Sequence, residues 1–199
     1  FFNNWTEGIK RTKMHSDQEI LSAICFFCDY LEYCDITAFN MIYPTFIDLS
    51  CNFKTENEDL LQSLVFGYGV ICKRINKNEF KNIKVKVVSF ICILIQNENT
   101  GGYTRDNAIS ALGKYLYFQS DLEEKDKTLM VEFLKMLPLK EDLEEGKALF
   151  KEMYDQIGCN NPIIANDANV PFIKEGIVNN LKDNPNPTIR EACLSALNY

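Results

Sequence analysis

Apolar residues return at helical intervals along most of this chain, and short polar gaps separate the periodic stretches. From Asp17 to Cys34 the set Ile20, Ala23, Ile24, Phe27, Tyr30, Leu31 and Cys34 keeps the three-to-four step of one helix face. Ser16, with Glu19 three residues on, predicts a capping box at its start. Asn40–Phe53 reads as a helix with Pro44 near its first turn, where a missing amide hydrogen is tolerated or bends the helix. Glu58–Ile75 follows, with Leu61, Leu64, Val65, Tyr68 and Cys72 on one stripe. Gly67 and Gly69 sit in its middle, where a glycine costs about 1 kcal/mol relative to alanine. Such a pair predicts a neighbouring helix packed close against the backbone.

In Lys77–Gln96, Ile83, Val85 and Val87 alternate as in a strand, whereas Val88, Ile91, Cys92 and Ile95 keep the helical step; the length of the stretch favours helix. Asn97–Tyr103 is a turn by its Gly and Asn content, and Thr104 is positioned to cap a helix opening at Arg105. Ala108, Ala111, Leu112, Tyr115 and Leu116 form the expected buried face of that helix. Asp126–Leu137 is stopped by Pro138, and a short link leads to Leu143–Ile157. A loop, Gly158–Asn169, precedes a final pair, Pro171–Lys182 and Thr188–Tyr199. The chain thus divides into a partial unit at 1–34 and helix pairs at 37–75, 77–118, 124–158 and 168–199.

An internal echo supports that division. Arg105–Leu112, RDNAISAL, returns 85 positions later as Arg190–Leu197, REACLSAL, with half of the positions identical. That offset is two units of about 42 residues, the period of HEAT and armadillo arrays. The expected fold is all-α: a solenoid of HEAT repeats, antiparallel helix pairs stacked into a superhelix. Tyr199 ends an apolar helix where a terminal repeat needs a polar outer face, so the expectation is a piece of a longer array.

Composition narrows the partners. With 21 basic and 28 acidic residues the net charge is −7, which disfavours nucleic acid and favours basic proteins or peptides. The acids concentrate between Asp121 and Asp155, eleven against six lysines, while Lys73–Lys86 holds six basic residues against Glu79. The longest apolar run, Val87–Ile95, is far short of the ~20 residues that cross a bilayer. No membrane insertion is expected.

Catalytic and metal chemistry find little footing. Cys25 and Cys28 have redox spacing but lie mid-helix among Phe, Ile and Leu, where core packing is the expectation. His15 is the single histidine, so a nucleophile would have one available base. Gly67-Tyr-Gly69 lacks both the third glycine and the preceding strand of a dinucleotide loop. The chain reads as no enzyme, with no cofactor and no metal.

Asn180–Leu197, NLKDNPNPTIREACLSAL, resembles the HEAT consensus, in which a turn Asp and a second-helix Arg form a ladder between repeats. The resemblance makes Arg105, Asp183 and Arg190 structural ladder residues. Ala23–Phe26, Tyr68–Val70, Asn107–Lys114, Leu137–Leu139, Glu141, Asp142, Glu144, Glu145, Asn161–Ile163 and Asn169–Pro171 extend the similarity across about residues 17–199. These stretches resemble the C-terminal HEAT repeats of the karyopherin-β, or importin-β superfamily, nuclear transport receptors, in the branch of the importin beta-three type. The resemblance implies a receptor that shuttles between cytoplasm and nucleus through the nuclear pore and binds cargo with basic localisation signals, of the ribosomal-protein kind. It also implies contacts to Phe-Gly nucleoporins through outer helices, which carry Phe46, Phe90 and Phe133, and to Ran GTPase mainly through N-terminal repeats outside this sequence. The acids Glu141, Asp142, Glu144, Glu145, Glu152 and Asp155 are the candidate cargo-binding residues, on second helices expected to line the concave wall. The alternative is a HEAT scaffold for complex assembly outside transport, with the same fold and no cargo function.

Overall fold

The structure, a computed structural model, describes residues 16–52, 55–121, 123–158 and 171. Among them are seven helices and no strand: α1 (Asp17–Tyr33), α2 (Ile36–Asn52), α3 (Glu58–Arg74), α4 (Lys77–Gln96), α5 (Gly102–Phe118), α6 (Glu124–Met136) and α7 (Leu143–Gly158). The odd-numbered helices stack in one layer, α1 on α3, α3 on α5 and α5 on α7. Against that layer α2 packs on α1, α4 on both α3 and α5, and α6 on α5. The result is an all-α solenoid of stacked helix pairs. The expected final pair, with Asp183 and Arg190, and the segment holding His15 lie outside the described residues.

Local chemistry sets the helix starts. Ser16 and Glu19 form the capping box: the Glu19 amide donates to the Ser16 hydroxyl at 3.3 Å, and the Ser16 amide donates to the Glu19 carboxylate at 2.9 Å. Asn57 caps α3 by accepting from the amides of Asp59 and Leu60, and Asn76 caps α4 by accepting from Asn78.

Two starts differ from the periodic reading. The Asp35 carboxylate accepts the Ala38 amide at 2.9 Å, so α2 begins at Ile36 and Pro44 falls in its interior. The Asn40 carbonyl there has no amide four residues on to bond, since proline carries none. The helix expected to open at Arg105 opens at Gly102 instead. Thr104 does not cap it; the Thr104 hydroxyl donates across the layer to the Glu58 carboxylate at 2.6 Å. A partner on the neighbouring helix outcompetes the local cap.

The glycine pair of α3 has the close neighbours its position predicts. A Cβ at Gly67 would stand 2.9 Å from Cε1 of Phe46 and 3.0 Å from Sγ of Cys28; one at Gly69 would stand 3.4 Å from Cα of Ala111. Helices α1 and α2 approach one side of α3 and α5 the other. Phe46, Tyr68 and Phe90 then run edge to face through the core, with centroids 5.9 and 5.1 Å apart.

Helix α5 departs furthest from its pattern. Ala108, Ala111, Leu112, Tyr115 and Leu116 are buried as expected, but so is every residue from Asp106 to Tyr117. Helices α3, α4, α6 and α7 surround it. Its polar side chains are buried because neighbours supply partners, and those partners build the site described next.

Candidate functional site: an acidic groove across the odd-numbered helices

One side of the odd-helix layer carries residues at seven-residue steps: Asp59, Phe66 and Lys73 on α3, Asn107 and Lys114 on α5, Glu145 and Glu152 on α7. Seven residues are nearly two turns, with a drift of only ~20°, so each set stays on one side of its helix. The members nearest the helix N-termini, with Leu21, Cys25, Cys28 and Asp29 of α1, line a groove of about 620 Å³ that spans all four helices. Gln62 and Ser63 complete one wall, Asp142 and Glu144 the other. Five carboxylates line it, and among the described residues no lysine or arginine does.

The α7 wall is held in place from α5. The Asp106 carboxylate, 4% exposed, accepts the amides of Lys140, Glu141 and Asp142 at 2.8, 2.6 and 2.9 Å. One buried charge thereby satisfies three main-chain donors in the turn that opens α7. The Asn107 amide donates to Asp142 at 3.0 Å, while Asp142 caps α7 by accepting the Glu145 amide at 3.0 Å. Asp106 follows Arg105 in the repeated octet, yet nothing local marks it, because its partners lie some 35 residues away.

The candidate acids fall into distinct environments. Glu145 accepts from Lys114 at 2.7 Å and from the Ser110 hydroxyl. Burial alone would raise its pKa, but the charge and hydrogen bond of Lys114, with the Ser110 bond, hold it below the ordinary glutamate value. Glu152 pairs with Lys73 at 2.5 Å, and Glu144 with Lys147, also at 2.5 Å. Glu141 and Asp155 are exposed, and Glu141 lies outside the groove beside Gly102. Periodicity missed Asp29 and Asp59, which are exposed, line the groove and have no ion pair among the described residues.

Cys28 packs in the core as expected, with its thiol donating to the Ser63 carbonyl at 3.2 Å and burial pushing its pKa well up. Cys25 does not. It is exposed on the groove wall, its sulfur 3.5 Å from the Ser63 hydroxyl. Three residues apart, the two stay neighbours on the helix and both line the groove, Cys28 inside the buried face and Cys25 at its solvent edge.

Contacts between repeats also run through the helix C-termini. Arg74 donates to the carbonyls of Leu31, Glu32 and Cys34, closing α1, and its guanidinium lies 4.9 Å from the centre of the Phe39 ring. Gln119 donates to the carbonyls of Cys72 and Ile75 at 2.7 and 3.1 Å, closing α3. Arg105, expected to meet a turn acid, donates to the Asn97 carbonyl at 2.8 Å, at the end of the preceding helix. The basic stretch is largely consumed as well: besides Lys73 and Arg74, Lys77 pairs with Asp121 and Lys84 with Asp126. Lys81 and Lys86 remain exposed. Phe46 and Phe133 are fully buried, and Phe90 is partly buried against Tyr68. The apolar side chains exposed on α2 and α4 are instead Ile36, Met41, Val85 and Ile93.

No protein-family model matches the chain. Among solved structures it is similar to a designed armadillo repeat protein, with a TM-score of 0.49 and 11% sequence identity over 97% of this chain and 98% of that one. The fold itself, stacked helix pairs with no strand among the described residues, is that of a helical-repeat solenoid. Among the described residues no cluster of three or more His, Cys, Asp or Glu is placed to hold a metal, and no helix is long and apolar enough to cross a membrane.

Proposed function

We propose that this chain is part of a nuclear transport receptor of the importin-β superfamily and that its odd-helix groove receives a lysine- or arginine-rich segment of the cargo. The observation that carries the reading is the groove itself, which spans four consecutive layer helices and is lined, among the described residues, by five carboxylates and no basic side chain. A cationic segment would be drawn there by long-range attraction and would lay its aliphatic stems on Leu21 and Phe66. On this reading the chain recognises and does not transform its partner, works without a cofactor, and shuttles between cytoplasm and nucleus. Release by Ran and contacts to Phe-Gly nucleoporins would belong to the full-length receptor; on these helices Met41, Val85 and Ile93 are better placed for such contacts than the buried Phe46 and Phe133.

The acids are expected to share the work unequally. Asp29 and Asp59 have no competing cation among the described residues, and Glu144, itself exposed, has one half-buried lysine to exchange. Glu145 is committed to Lys114, and drawing it away would leave a buried ammonium unpaired. A labelled basic localisation peptide should therefore bind in a salt-sensitive manner, and the Asp29→Asn, Asp59→Asn double variant should weaken binding roughly tenfold, about 1.4 kcal/mol. Equal affinity in both proteins, or indifference to salt, would remove the groove from cargo recognition. Capture of partners by the full-length protein, with and without GTP-loaded Ran, separates a transport receptor from an assembly scaffold: an importer loses basic cargo when Ran is added, and a scaffold keeps its partners.

A further inference from the structure

The side that carries the groove also carries an unusual ion pair. Lys73 belongs to α3 and Glu152 to α7, and α5 stands between those two helices in the layer. Packed helix axes lie ~8–10 Å apart, so next-nearest neighbours in a flat row would stand roughly twice that distance apart. A lysine and a glutamate side chain reaching over an intervening helix fall short of such a span. Their 2.5 Å contact requires the row α3–α5–α7 to bend toward the side on which they meet.

Seven-residue steps place this contact directly beyond the groove: Lys73 follows Phe66 on α3, and Glu152 follows Glu145 on α7. Between them Lys114 of α5 reaches Glu145, so two ionic rungs draw the same side together. The rungs differ in exposure. Lys114 and Glu145 are 8% and 13% exposed, whereas Lys73 is 47% exposed and can return to water without losing its hydration. Glu152 is more enclosed, its second carboxylate oxygen is buried without a hydrogen-bond partner among the described residues, and Lys73 is its ion-pair partner there.

We propose that Lys73–Glu152 is an ionic strap that sets the curvature of the odd-helix side and that loosens as salt screens it. The strap acts through small rotations between stacked units, the soft coordinate of a solenoid. Screening acts on it because one partner faces solvent, while the Lys114–Glu145 rung inside resists. The inference stands on the chord across α5 and is independent of what occupies the groove.

Small-angle scattering of the full chain tests it. The maximum dimension of the wild type is expected to grow by several ångströms between low and high salt. Lys73→Met and Glu152→Gln should already be extended at low salt and should show little further response, with helix content by circular dichroism unchanged. The charge-swapped double variant, Lys73→Glu with Glu152→Lys, should regain both the compact dimension and the salt response. Single variants as compact and as salt-responsive as the wild type would overturn the proposal, as would a swapped protein that stays extended.

Discussion

At the scale of single residues, the most consequential side chain is one that no pattern singled out. Asp106 is acidic and sits in a helix, which predicts exposure; it is buried because three amides of a distant turn converge on it. Asp106→Ala would orphan those amides, and a loss of about 2–4 kcal/mol is expected, read as a lower urea midpoint with unchanged slope. Glu145 provides a pH signature. Its folded pKa lies below its unfolded value, so its contribution to stability is complete above the ordinary glutamate range and is lost as pH falls through the folded value. The stability gap between wild type and Glu145→Gln should therefore shrink on going from about pH 6 to about pH 3, and a constant gap would mean that Glu145 is not paired as described. The capping box at Ser16 was legible because both partners lie within one turn, whereas Asp106, Arg74 and Gln119 were not, because main-chain acceptors and donors carry no mark in a sequence.

At the scale of helices, periodicity located all seven, since each described helix buries apolar residues at a three-to-four step. It erred where a side chain from another helix decided the outcome: Thr104 left its cap for Glu58, and α5 was given one buried face although it has no exposed one. The glycines of α3 were interpretable because their cost is local while their cause is a neighbour. Gly67→Ala pushes a methyl into Phe46 and Cys28 and should destabilise by about 1–3 kcal/mol. Gly146 in α7 is the contrast: a Cβ there would meet Leu139 at an ordinary 3.7 Å, so Gly146→Ala should stabilise by roughly 0.5–1 kcal/mol through lost backbone freedom in the unfolded chain. Thermal melts of the two variants should move in opposite directions.

At the scale of the whole molecule, the stretches of like charge seen along the sequence do not survive folding as patches. Most of the basic stretch at 73–86 is spent on carbonyls and carboxylates of other repeats, and Lys73, Lys77 and Lys84 pair with Glu152, Asp121 and Asp126 of the acidic one. The negative lining of the groove is assembled from α1, α3 and the start of α7, with Asp29 and Asp59 contributed by segments far from the acid-rich region. A groove of that kind has no linear signature, because nothing along the sequence sets Asp29 and Asp59 beside Asp142 and Glu145. The internal echo was more informative about architecture, because a repeat that buries its neighbour must recur at the stacking period.

The enclosure of α5 from Asp106 to Tyr117 separates two kinds of freedom. That helix holds the scaffold together from within and offers the groove Asn107 alone. If the groove receives a basic segment as proposed, its preference can be rewritten on the rims of α1, α3 and α7, at Leu21, Asp29, Gln62 or Glu144, without disturbing the element on which the stack depends. A combinatorial library confined to those rim positions should yield mostly folded proteins with altered ligands, whereas one spread over α5 should yield mostly unfolded ones.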